Sequence, residues 1–284
     1  MITYSNSKDL IHLKKYIICI KMIDITFICC PKPFIEPFTD IQTNAILSWK
    51  KLKCCSKIIM CCNEKGSEDF CIKNGIIHEP SVEVNEWNTP LLNSIFNLGY
   101  KNANKYVCYI NSDIILLDDF DVTIEKIFSS NLNLEKCLLV GQQWSWKKPY
   151  LIDFDKDDYK ENILKEVKRD NKQNPKCAID YFVHSVSTYD KILPFAIGRW
   201  HFDRWLMYEA IRLCCTTIDM SETILAVHQD APWLVEGKQV NVFIDTEEIN
   251  KNRFGLVNCW ETGKDMDESK YKTKFIENEI VIVS

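Results

Sequence analysis

Asp113 lies in the run YVCYINSDIILLDDF, where an amide, a hydroxyl and a carboxylate (Asn111-Ser112-Asp113) interrupt the pattern of a buried strand. Burying an unpaired carboxylate is costly, so a residue in this place is expected to meet water, a cation or a partner. His228 stands at the end of another apolar run, TILAVHQ, and offers a nitrogen donor. A Mn²⁺ or Mg²⁺ ion carrying a diphosphate needs only one or two protein ligands, because phosphate oxygens and water complete its octahedron. Asp113 and His228 are therefore candidate metal ligands, although a turn cap and a satisfied, half-buried histidine describe the same spacing. A third acid, Asp203, opens the helical pattern of GRWHFDRWLMYEA, in which Phe202, Trp205, Leu206, Ala210 and Leu213 form one apolar stripe. A carboxylate in a first turn suits a helix N-terminus. Held among Trp200 and Trp205, it is equally a candidate general base for a hydroxyl group.

The elements that must position these residues alternate. DITFICC reads as a strand ended by Pro31-Lys32-Pro33, IQTNAILSWKKL as a helix, and KIIMCC as a strand ended by Asn63-Glu64-Lys65-Gly66. SEDFCIKNG then predicts a short helix and IIHE a short strand. TPLLNSIFNLGYKNA predicts a longer helix, with Thr89 as N-cap and Pro90 as first residue. The Asp113 strand follows. Strands that are apolar on both faces and alternate with helices predict an α/β, doubly wound, mostly parallel Rossmann-like sheet. Such sheets bind ligands beyond the carboxyl ends of their strands, which places Pro31, Glu64 and Asn111-Ser112-Asp113 at one crevice. Farther on, KCLLVGQQWSW reads as one strand and residues 147–177 as a charged insertion with a helical pattern. AIDYFVHS, a helix from about Arg199 to Leu213, and TILAVHQ follow, and there are few signals after Glu236.

Composition narrows the function. The 284 residues are 46% hydrophobic with a net charge of -5, and the Lys and Arg residues are dispersed among acids, which argues against nucleic acid as a partner. The fourteen cysteines include the adjacent pairs Cys29-Cys30, Cys54-Cys55, Cys61-Cys62 and Cys214-Cys215, and none forms a C-x-x-C. Neighbours on a strand point to opposite faces, so these thiols are expected to act as small apolar residues in a reducing compartment. The segment YIICIKMIDITFICC is broken by Lys21 and Asp24 and is too short for a membrane helix. A cytoplasmic protein, in the host cytoplasm if viral, is the expectation.

Seven segments in order carry a resemblance to a family. YINSDIILLDDF is similar to the metal-binding D-x-D strand end of GT-A-fold glycosyltransferases, in a variant with Asn as the first acid. TFICCPKPF, NEWNTPLLNSIF, LLVGQQW, AIDYFVHS, FAIGRWHFDRWLMYEA and VHQD resemble other segments of a microbial and viral subgroup of that family. The resemblance covers roughly residues 24–233. It implies a GT-A-like fold and a Mn²⁺- or Mg²⁺-assisted transfer of a hexosyl or pentosyl group. The donor would be a nucleotide sugar, UDP- or GDP-linked, and the acceptor a hydroxyl of a glycan or glycoconjugate. It further implies that Asp113 holds the metal, that His228 is a second metal or phosphate ligand, and that Asn111 touches the ribose or a metal-bound water, with Ser112 in the same nucleotide-sugar site. Glu64 would bond the base, Pro31 would pack on base or ribose, and Asp180 would orient the sugar. Asp203 would be the base if the enzyme inverts. Two departures bear on this: Asn111 lacks the charge of an acid, and Arg204, following Asp203, is placed either to pair with it and weaken it as a base or to contact a phosphate.

The expected organisation is an N-terminal lead-in over 1–22, a single transferase domain over 23–235, and a C-terminal extension over 236–284 packed on it. Two other functions fit the same residues. One is a catalytically inactive sugar-nucleotide or glycan-binding module. The other is a sugar-phosphate nucleotidyltransferase, against which the absence of a Gly-rich loop in CCPKPFIEP argues.

Overall fold

The computed structural model describes residues 23–198, 202–231 and 264–284, together with the backbone of 234–235 and 238–239. The expected lead-in over 1–22, Arg199 and Trp200 lie outside the described residues. The first half alternates as expected: β1 (Ile25–Cys29), α1 (Phe38–Lys50), β2 (Cys55–Met60), α2 (Ser67–Asn74), β3 (Ile77–His78), α3 (Leu92–Asn102) and β4 (Tyr106–Ile110). Then come β5 (Ile114–Ile115), α4 (Asp118–Phe128), β6 (Cys137–Val140), β7 (Gln143–Trp146), α5 (Tyr159–Asp170) and β8 (Tyr181–Ser185). The chain continues through α6 (Phe202–Arg212), β9 (Thr216–Asp219), β10 (Ala226–Gln229), β11 (Leu234–Val235), β12 (Lys238–Gln239), β13 (Tyr271–Ile276) and β14 (Glu279–Val283).

Nine strands form one sheet in the order β14-β13-β9-β6-β8-β4-β1-β2-β3. β3, β2, β1 and β4 run parallel, β8 lies antiparallel between β4 and β6, and β6, β9 and β13 are again parallel. This is the doubly wound, mostly parallel α/β architecture expected from the sequence. Its cause is visible in β1, where all five residues are buried. Phe27 and Cys29 join Ala45, Trp49, Phe120 and Ile124 on one face, while Ile28 joins Leu92, Phe96, Trp205 and Leu206 on the other. Helices α1 and α4 thus cover one face and α3 and α6 the opposite one, which is why the strands carry no polar alternation. A small second sheet, β5-β10-β7, packs Ile115, Trp146 and Val227 against Ile163 and Val167 of α5. Every cysteine among the described residues is a free thiol, and most are buried, as small apolar side chains would be.

Four expectations are corrected. Helix α3 starts at Leu92, not at Pro90, because Pro90 and Leu91 are held in extended bridges to Val84 and Ala196. Thr89 accordingly caps nothing, and the helix receives its first bond from Leu92 N–H to Phe195 O at 2.8 Å. KCLLVGQQWSW is two strands in two sheets, parted at Gly141. A Cβ there would lie 2.0 Å from Tyr181 Oη. The threonine-rich strand β9 and the β13–β14 hairpin, which extends the sheet through Tyr271 beside Ile218, escaped the sequence reading. No helix among the described residues is long and apolar enough to cross a membrane.

Candidate functional site

β2, β1 and β4 are neighbours and parallel, so their carboxyl ends open on the same side. There a cleft of about 340 Å³ is lined by Pro31, Glu64, Asn111, Ser112 and Asp113, five of the residues singled out in the sequence. That volume suits a small-molecule site. Glu64 follows β2 and Asp113 follows β4, with β1 between those strands, and both line this cleft. Each wall is fixed locally. Gln42 of α1 accepts the Lys32 N–H at 2.6 Å and donates to Lys32 O at 3.0 Å, which ties the Pro31 turn to the helix. Gly66 takes φ 83°, a left-handed value that suits glycine, and starts α2 directly after the Glu64 turn.

The polar triplet that interrupts the Asp113 run is the turn between two sheets. β4 ends at Ile110, Ile114 N–H bonds back to Asn111 O at 3.2 Å, and β5 then pairs antiparallel with β10, setting His228 opposite Ile114. The buried face of α1 grips this turn. Trp49 Nε1 donates to Ile114 O at 2.8 Å and Ser48 Oγ accepts the Leu116 N–H at 3.2 Å. His228 Nε2 consequently lies 3.6 Å from Asp113 Oδ2, and its Nδ1 lies 2.9 Å from Asp230 Oδ1. Burial opposes charge on this imidazole, but Asp113, the hydrogen bond to Asp230 and Asp180 outweigh it and raise His228 to about 9.

Asp180 sits just before β8 and is joined to Asn111 twice. Asn111 N–H donates to Asp180 O at 2.9 Å and Asn111 Nδ2 to Asp180 Oδ1 at 2.6 Å. Burial first, then the Asp113 and Asp203 carboxylates, push Asp180 up to about 7, while His228 and Asn111 pull the other way. Asp203 lies in the first turn of α6, where its Oδ1 accepts the N–H of Arg204 at 2.8 Å. It is thus a helix-terminal acid within electrostatic reach of Asp180, and it is not among the residues lining the cleft. Trp146, in the aromatic end of KCLLVGQQWSW, is wholly buried and belongs to the core.

The residues fit a divalent cation in one respect: Asp113 Oδ1 is buried and has no hydrogen-bond partner among the described residues. Two protein donors, Asp113 and His228, face each other. Among the described residues no group of three His, Cys, Asp or Glu side chains converges as a complete cage. Sequence reasoning missed Gln42, Asn44, Gln229 and Asp230. Their one visible signal is that Gln42 and Asn44 are polar yet fall on the buried face of α1.

No protein-family model matches the chain, and no curated protein matches it. Among solved structures the chain is similar to GalNAc-T7, crystallised with UDP, GalNAc and Mn²⁺. The identity is 11% and the TM-score 0.47, over 78% of this chain and 46% of that one. It is also similar to glucosyl-3-phosphoglycerate synthase from Mycobacterium tuberculosis, in complex with Mn²⁺, UDP and glucosyl-3-phosphoglycerate. Here the identity is 11% and the TM-score 0.41, over 75% of each chain. The chain therefore spans less than half the length of the first of these proteins. Superpositions of this extent bear on neither activity nor ligand.

Proposed function

We propose that this protein is a GT-A-like glycosyltransferase that moves a sugar from a nucleotide donor to a hydroxyl acceptor with Mn²⁺ or Mg²⁺. The observation that carries the reading is the buried Asp113 Oδ1, without a hydrogen-bond partner among the described residues, on a residue that lines the cleft of about 340 Å³, with His228 facing the other oxygen of the same carboxylate. The Glu64 carbonyl accepts the N–H of Ser67 at 3.1 Å, while its carboxylate makes no hydrogen bond or ion pair among the described residues, which leaves it for the N–H groups of a base. Pro31 supplies an apolar wall beside it. Asp113 and His228 would hold the cation, Asn111 and Ser112 the ribose or phosphates, and Asp180 the sugar. Asp203 would take the acceptor's proton if the reaction inverts. A bound divalent ion would supply neutralisation of the charge that grows on the leaving diphosphate. Positioning by the strand ends supplies most of the rest. The transferase unit would comprise residues 23–235, with 264–284 packed against it; residues 236–237 and 240–263 of the expected extension lie outside the described residues.

A second reading, binding without turnover, draws on one observation: the Asn111 carboxamide is engaged with Asp180, so the position of the usual first acid contributes no charge to the metal. One experiment separates the two. Thermal shifts with UDP-, GDP-, CMP- and dTDP-sugars, with and without Mn²⁺, are measured on wild type and Asp113→Ala. A ligand at 100 times its Kd adds about 2.7 kcal/mol of apparent stability. Metal-dependent stabilisation by one nucleotide class, lost in Asp113→Ala, is the expected result. Its absence in wild type overturns the donor site. Binding without hydrolysis or transfer to any acceptor favours the second reading.

A further inference from the structure

Asp113 is held from behind by two buried amides that the reading above leaves without a role. The backbone N–H of Gln229 donates to Asp113 O at 3.1 Å, and its side-chain Nε2 donates to the same oxygen at 3.2 Å and to Ile41 O at 2.9 Å. Gln229 Oε1 accepts from Asn44 Nδ2 at 2.9 Å. Asn44 Nδ2 also donates to Tyr150 O at 2.8 Å, and its Oδ1 accepts the Ile152 N–H at 2.8 Å. Both side chains have no exposed surface, and each of their side-chain donors and acceptors is engaged. The network joins helix α1, the Asp113 turn, the end of β10 and the segment before α5, which are four separate stretches of chain.

A fully satisfied buried network has one arrangement, because displacing either amide strands a donor or an acceptor in an environment without water. Its position matters here. Gln229 grips the carbonyl of Asp113, and the next residue back, His228, faces the carboxylate of the same Asp113 at 3.6 Å. Resting on the metal-assisted reading above, we infer that Gln229 and Asn44 are positioning residues for the divalent cation. They fix the Asp113 turn against β10 so that the Asp113 carboxylate and the His228 imidazole would be held toward one ion together. Groups that orient metal ligands from outside typically change affinity by 10- to 100-fold when removed. A purely structural amide pair would lower stability and leave the ion's affinity alone.

The test uses the full chain in four forms: wild type, Asp113→Ala, Gln229→Glu and the double variant Asn44→Leu/Gln229→Leu. Gln229→Glu keeps the acceptor for Asn44 and deletes both Nε2 donors. The double variant replaces both amides by apolar groups of similar size, which avoids leaving one amide facing the other's vacancy, although Tyr150 O and Ile152 N–H lose their side-chain partner. Whichever of the two folds carries the measurement. Mn²⁺ affinity is read by electron paramagnetic resonance with the metal alone, nucleotide diphosphate affinity is read without metal, and amide exchange is followed over residues 111–116. The expected result is roughly a tenfold or greater loss of Mn²⁺ affinity with faster exchange at 111–116, and a smaller loss of metal-free nucleotide affinity, because Pro31 and Glu64 lie outside the loosened turn. Mn²⁺ affinity unchanged in a folded variant, while Asp113→Ala abolishes it, overturns the positioning role and leaves the metal site standing. Wild type that binds no Mn²⁺ overturns the metal site itself.

Discussion

The Asn111 carboxamide donates to the Asp180 carboxylate across 2.6 Å, in the place where the family resembled by the sequence carries an acid. An acid at position 111 would face Asp180 as a like charge. Asn111 is therefore matched to Asp180, a residue 69 positions away. The substitution Asn111→Asp is expected to destabilise the protein by about 1–3 kcal/mol at pH 8, by trading a donor for a second carboxylate. Near pH 5.5 the penalty shrinks, because Asp180, already raised to about 7, holds a proton there and can donate across the pair. Adding Asp180→Asn should restore stability at pH 8. Urea melts of wild type and the two variants at both pH values check this, and a pH-independent penalty would count against it.

His228 offers a second electrostatic test in the metal-free protein. Its hydrogen bond to Asp230 at 2.9 Å is one of the interactions that raise it to about 9 against the effect of burial. Asp230→Asn keeps the shape and removes the charge, so the imidazole should titrate roughly one pH unit lower or more. The ring proton shifts of His228 in a two-dimensional NMR titration measure this directly. An unchanged midpoint would show that Asp113 and Asp180 set the protonation without Asp230.

Gly141 and Tyr181 form a steric pair that the sequence does not advertise. A Cβ at Gly141 would lie 2.0 Å from Tyr181 Oη and 3.3 Å from Ser221 N, and Tyr181 is fully buried. Gly141→Ala is expected to cost about 1–3 kcal/mol through overpacking. Tyr181 Oη is itself buried without a hydrogen-bond partner among the described residues, so Tyr181→Phe should stabilise by about 1 kcal/mol and relieve much of the Gly141→Ala penalty. A double-mutant cycle by chemical denaturation measures both, and strict additivity would refute the pairing.

The legible and illegible parts of the fold differ for physical reasons. β1 to β4 stood out because strands covered by helices on both faces are continuously apolar, and the turns between them are polar or proline-bearing. Asp113 stood out because a carboxylate in such a strand has no structural reason to be there. Pro90 misled because its preference for a first helical turn lost to the tertiary bridges that keep it extended. β6 and β7 merged in the sequence because a close approach between Gly141 and a tyrosine 40 positions on leaves no local pattern. Asn44 and Gln229, 185 residues apart, were unreadable for the same reason: a satisfied amide has no periodicity and declares itself only through its partner.

His184 yields the sharpest pH prediction away from the cleft. It is fully buried, its ring stacks on Phe96 at 5.4 Å, and its Nδ1 lies 3.0 Å from Ser185 O. Burial lowers it from an ordinary 6.5 to about 4, so the native state keeps it neutral where the unfolded chain already binds a proton. The unfolded state then holds more protons between those values, and stability falls as pH falls through them, by about 3 kcal/mol in full. Asp180 works in the opposite sense over nearly the same range. Raised from 3.8 to about 7, it binds a proton in the native state first and so stabilises on acidification. The wild-type curve alone therefore mixes two opposed slopes, and the difference between wild type and His184→Phe isolates one of them. Phe preserves the stack on Phe96 and cannot titrate. Relative to wild type, His184→Phe should gain about 3 kcal/mol between pH 7 and pH 4. Denaturation midpoints for the two proteins at half-unit steps read this gain, and parallel curves would mean that His184 is protonated in the folded state.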